Sequence, residues 1–94
     1  MKKITLLTGD GHKELIIPAY YIDDQFEDTT YIYRIDEVDG DVNCTRLKVI
    51  EMEGFYSYSI DSTAPHLALS HKESNVLEWT AQLGRISDFL TKFI

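Results

Sequence analysis

Eight carboxylates crowd one short span of this chain: Asp23, Asp24, Glu27, Asp28, Asp36, Glu37, Asp39 and Asp41. Arg34 alone opposes them there, so the span carries the whole net charge of −7. Carboxylates at this density can bind a hard cation, move protons, imitate the phosphates of a nucleic acid, or simply keep a surface wet. Calcium fits poorly, because Asp36, Asp39 and Asp41 lack EF-hand spacing, Gly40 is misplaced and no bidentate Glu closes the loop. Proton transfer needs a pocket around a carboxylate pair, and Asp23 and Glu27 fall on a loop. A solvated surface is the bland reading. The sharper one is a field that repels nucleic acid and anionic membrane and steers a basic partner inward.

Tyrosine is the next residue with chemistry to offer. Tyr31 and Tyr33 alternate along one strand face, and Lys48 and Arg46 fall opposite them, which makes a platform of rings and cations. Such a platform can stack single-stranded nucleic acid, anchor a protein interface, or satisfy itself by cation–π contact. The neighbouring negative charge disfavours nucleic acid. His12, His66 and His71 are scattered, and a zinc site built from His66, His71, Glu73 and Cys44 requires the fold to gather them. The nucleophile elbow, the His-Glu-x-x-His helix and the phosphate-binding glycine loop are all missing from the sequence. The expectation is therefore a protein without enzymatic activity, cofactor or bound metal.

The elements that must position these residues follow from periodicity. From Asn75 to Ile94, Val76, Trp79, Leu83, Ile86, Leu90, Phe93 and Ile94 recur at helical spacing, and Glu78, Gln82, Arg85, Asp88 and Lys92 take the other side. Asn75 with Glu78 forms a capping box, and Ser70 with Glu73 offers a second start. Ahead of this helix lie five strand-like runs, at 2–8, 13–22, 29–38, 41–52 and 55–61, with Pro18 marking an edge or a bend in the second. Asp10-Gly11, Asp39-Gly40 and Glu53-Gly54 read as two-residue turns. The first pairs Leu6 with Leu15 and Ile4 with Ile17. The others pair Ile32 with Leu47, Leu47 with Ile60 and Val49 with Tyr58 on an apolar face, leaving Tyr31, Tyr33, Ser57 and Ser59 on a reverse face that is wet or only partly covered.

The chain thus reads as one α+β domain: an antiparallel meander of about five strands over 1–61, a crossover at 62–74, and a long C-terminal helix, 75–94, packed on one sheet face. Trp79 is expected to be buried against Leu47, Val49 and Ile60, with Leu67 and Leu69 tucked under the helix. Ninety-four residues leave no room for the large enzyme architectures. The lone Cys44 and an opening apolar run too short for a signal peptide point to the cytoplasm. Small acidic α+β domains include phage antagonists of bacterial nucleases and toxin-immunity proteins, a likeness of type with no shared motif. The functional expectation is an inhibitor that presents Asp23, Asp24, Glu27, Asp28, Tyr31, Tyr33, Asp36, Glu37, Asp39 and Asp41 to the basic surface of a larger protein. The alternatives are a self-associating or accessory subunit that uses the Tyr31/Tyr33 face, and a small metal-dependent enzyme.

Overall fold

The computed structural model describes residues 1–92. Strands β1 (Lys2–Thr8) and β2 (Gly11–Ile17) form a two-stranded sheet. Strands β3 (Ala19–Asp23), β4 (Thr29–Val38), β5 (Asp41–Met52), β6 (Phe55–Thr63) and β7 (Lys72–Glu73) form a five-stranded antiparallel sheet in the order β6-β5-β4-β3-β7. Between β6 and β7 lies a one-turn helix, α1 (Pro65–Ala68), and the chain continues into α2 (Val76–Thr91). The architecture is the expected α+β sheet with a C-terminal helix packed on it. Phe93 and Ile94, placed in the helix stripe by periodicity, lie outside the described residues.

The β4–β5 and β5–β6 registers are those that the turn residues dictate: Ile32 faces Leu47, Leu47 faces Ile60, and Val49 faces Tyr58. Asp39 and Gly40 both take positive φ, 52° and 86°, the conformation of the mirror-image turn whose twist matches a hairpin. The first hairpin differs. Its loop is Gly9-Asp10, so Ile4 faces Leu15 rather than the expected Ile17, and Leu6 faces Lys13 rather than the expected Leu15. A slip of two residues keeps every side chain on its own face. Leu15 and Ile17 are accordingly still buried, with Ile4 and Leu6 packed beside them.

Pro18 does break the second run. After a cis Ile17–Pro18 bond the chain leaves the small sheet and enters the large one as β3. The β1–β2 hairpin then lies across the reverse face, where Leu15 and Ile17 cover Tyr21, Tyr33, Ile35 and Cys44, and Ala68 of α1 closes the cluster. On the opposite face Ile86 of α2 meets Ile22, Ile32 and Leu47, with Trp79 and Tyr58 at the margin.

Two expectations about the helix need correction. Trp79 is half-buried toward β3, its ring 6.1 Å from that of Tyr20, and Ile60 is 53% exposed, because α2 starts beside β3 and reaches β6 at Phe89, against Tyr58. Leu69 packs on the reverse face and Leu67 is exposed, so neither lies under α2. The cap forms as expected: Asn75 Oδ1 accepts from the Glu78 N–H at 3.0 Å. The Glu78 carboxylate accepts from the Ser74 hydroxyl at 2.8 Å, and Ser70 begins no helix.

Leu47 is fully buried in the helix-side cluster. Leu47→Ala should cost about 2 to 5 kcal/mol through lost transfer energy and a residual cavity. Leu77→Ala, at a position 78% exposed, should change stability by less than about 0.5 kcal/mol. Urea titrations followed by circular dichroism measure both.

Candidate functional site

β4 divides the acidic span. Its ten residues, at about 3.4 Å each, carry the chain roughly 30 Å from the loop at 24–28 to the turn at 39–40. The carboxylates that form one run in sequence therefore occupy opposite ends of the sheet.

At the far end Asp36 pairs with Arg34 at 2.7 Å and accepts from the Glu37 N–H, and Glu37 pairs with Lys2 at 2.6 Å. Asp39 and Asp41 are exposed at the turn, and neither makes an ion pair among the described residues. At the near end Asp23 is nearly buried. Its Oδ1 accepts from the Gln25 N–H, and its Oδ2 lies 3.8 Å from His71 Nδ1. Asp24 pairs with Lys72 at 3.3 Å. Half of the eight carboxylates are thus spent on contacts within the fold, and Glu27, Asp28, Asp39 and Asp41 keep their charge for solvent.

The tyrosine platform is also divided. Tyr33 is 5% exposed beneath the β1–β2 hairpin, and its ring stacks on His71 at 5.2 Å. Burial raises its phenol pKa, and no free face is left for a partner. Tyr31 is half-buried, with Arg46 and Lys48 over its ring at 5.4 and 5.6 Å, the self-satisfied cation–π arrangement. Arg46 is further held by Asp61, whose two carboxylate oxygens accept from its guanidinium. That fork keeps the Asp61 carboxyl below the usual range. Asp61 went unnoticed in the sequence, although the register that sets Leu47 against Ile60 also sets Arg46 against it.

What the near end builds instead is a cleft. Phe26, Glu27, Asp28, Thr29, Tyr31 and Met52 line an open space of about 390 Å³. The loop is tied to the β5 end by the Glu51 N–H, which donates to the Asp28 carbonyl at 2.9 Å. Phe26 is 58% exposed and Met52 41%. Apolar walls under a carboxylate rim suit a long-stemmed cation, because the stem can lie on Phe26 and Met52 while the head meets Glu27, Asp28 or a ring face. Glu53, exposed on the next turn, adds to the field. Phe26 could have been singled out as the one large apolar residue in a charged loop, whereas its meeting with Met52 depends on the register of β4 and β5.

Two other clefts are mixed in character. One, of about 450 Å³, brings His12 and His66 to a shared wall with Asp10 and Lys13. The other, of about 390 Å³, follows the Pro18 bend. The zinc set considered from sequence is dispersed: Cys44 is fully buried, His71 stacks on Tyr33, and among the described residues no group of three or more His, Cys, Asp or Glu could hold a metal ion. No helix of the described residues is long and apolar enough to cross a membrane. Comparison with known proteins finds no matching family, no matching curated protein and no matching solved structure.

Burial pushes the Cys44 thiol up from 9.0 to about 11. At pH 8 the native protein should react with iodoacetamide at least about 100-fold more slowly than the urea-unfolded chain, because the thiolate fraction falls by that factor. The sign for stability follows. A folded pKa above the unfolded one favours the fold fully below about pH 9, and that advantage is lost as pH rises toward 11. Cys44→Ala should flatten this alkaline slope in urea midpoints measured from pH 8 to 11.

Proposed function

We propose that this chain is a non-enzymatic binding protein of the cytoplasm that engages the basic surface of a larger protein and inhibits it by occupying the place of a nucleic acid. The cleft of Phe26, Tyr31 and Met52 under Glu27 and Asp28 is the observation that carries this reading. It offers what a lysine or arginine side chain needs: apolar walls for the stem, and the Phe26 ring face and two carboxylates for the head. Buried apolar anchors surrounded by charge supply affinity, while the charge itself supplies rate and orientation.

The ten residues expected from sequence then take different parts. Glu27, Asp28 and Tyr31 contact the partner directly, together with Phe26 and Met52. Asp39 and Asp41 act from the other end of β4 by steering. Asp23, Asp24, Asp36, Glu37 and Tyr33 hold the fold, through His71, Lys72, Arg34, Lys2 and the hairpin core respectively.

An arginine-rich peptide titrated into isotopically labelled protein tests the assignment by amide shifts. The shifts should concentrate on residues 25–31 and 51–53 and weaken as salt rises from low to physiological strength, where the Debye length falls to about 8 Å. Glu27→Gln with Asp28→Asn should weaken binding about tenfold, and Phe26→Ala should do the same at unchanged net charge. Asp39→Asn with Asp41→Asn should cost less than the first pair. Equal effects of both acidic pairs, with none from Phe26→Ala, would reduce the attraction to bulk charge and sink the cleft.

A further inference from the structure

β6 is the open edge of the large sheet, and among the described residues no strand pairs with its outer side. It runs nine residues in an unbroken ladder with β5, without Pro, Lys or a bulge. These are the devices by which exposed edges usually avoid pairing with another chain. The one charged residue of the strand, Asp61, is neutralised by the Arg46 fork.

The layer above this edge is also unfinished. Arg85 reaches Glu51 at 3.2 Å, and Phe89 sits on Tyr58 with ring centroids 4.7 Å apart. These contacts turn one flank of α2 toward the Glu53-Gly54 end of the sheet. The opposite flank of α2 carries Leu83 and Leu90, 40% and 54% exposed, and Leu90 follows the Phe89 that reaches β6. An apolar flank of the helix and Ile60 on the bare strand, 53% exposed, are thus both left uncovered.

We propose that two copies of this chain associate along β6. The strands pair antiparallel about a two-fold axis near Tyr58–Ile60, the two large sheets become one, and the Leu83 and Leu90 flanks close over the Ile60 side chains. A second copy is the occupant that this edge admits. Two chains of −7 each repel over most of their surface, and from Phe55 to Ile60 the edge carries no charged side chain, so this approach costs the least. The strand is about 30 Å long and the sheet and helix layers together about 20 Å deep, which gives roughly 600 Å² of projected area, close to the ~800 Å² per partner of a stable interface. An antiparallel two-fold also pairs the same patch with itself, as an isologous dimer requires. The acidic cleft opens on the sheet end, off the new axis, and stays free on both copies.

Sedimentation velocity from micromolar to submillimolar concentration tests the pairing. The wild type should sediment as twice its 10.9 kDa chain. Ile60→Lys and Ile60→Glu should each weaken association about tenfold or more, since the axis brings like charges together on one face. An equimolar mixture of the two variants should recover the dimer, and circular dichroism verifies that both remain folded. A wild type that stays at 10.9 kDa throughout overturns the proposal. So does undiminished association of both variants, or monomeric variants whose mixture fails to pair.

Discussion

Burial of the β4–β5 hairpin on both of its faces is the constraint that the rest of the molecule serves. The four largest fully buried side chains all belong to it: Ile32 and Leu47 point to one side, Ile35 and Cys44 to the other. An isolated hairpin is marginal in water, and one that carries apolar side chains on both faces needs cover on both. One side is covered by α2 and the other by the β1–β2 hairpin with Ala68, so the fold has three layers around its middle strands and only two at β6. This uneven cover explains why the half-exposed apolar residues gather at one edge while the polar reverse face there, with Ser57 and Ser59, needs no cover.

Legibility in the sequence tracked how tightly local chemistry restricts the backbone. Asp39-Gly40 and Glu53-Gly54 are isolated turn pairs, so two registers could be worked out residue by residue. Gly9-Asp10-Gly11 offers overlapping two-residue turns, and the fold takes the one that was not expected; the faces survived because the strand period is two. Asn75 capped its helix as its side chain requires. The crossing of α2 was not legible, because amphipathicity names the buried stripe and not the direction in which it lies across a sheet. Periodicity alone therefore sets Trp79 against Ile60, whereas its ring neighbour is Tyr20. The four residues of α1 and two of β7 are too short to carry a period at all.

The site was less legible than the fold for a related reason. Proximity in sequence is not proximity in space here, because a ten-residue strand lies in the middle of the acidic span. The carboxylates sort by local geometry: those next to Arg34, Lys2, Lys72 and His71 are engaged, and those at the turns are free. The apolar partners that turn free charge into a cleft, Phe26 and Met52, lie far apart in the chain and have no sequence pattern in common. Tyr31 was placed correctly by register, and its cations proved to be its own neighbours, Arg46 and Lys48.

The cleft walls come from the loop after β3 and the end of β5, and a backbone hydrogen bond from the Glu51 N–H to the Asp28 carbonyl ties them together. Fraying at that end of the ladder separates the walls. A molecule that touches both binds the closed arrangement and not the frayed one, so by linkage its binding free energy becomes local protection of that end. The same linkage runs in reverse: whatever tightens the ends of β4 and β5 improves the cleft without touching its occupant. Affinity for a molecule that touches both walls is thereby tied to the last rungs of the hairpin, and Ile50, paired with Thr29 one rung inside the Asp28–Glu51 bond, can tune it from within the sheet.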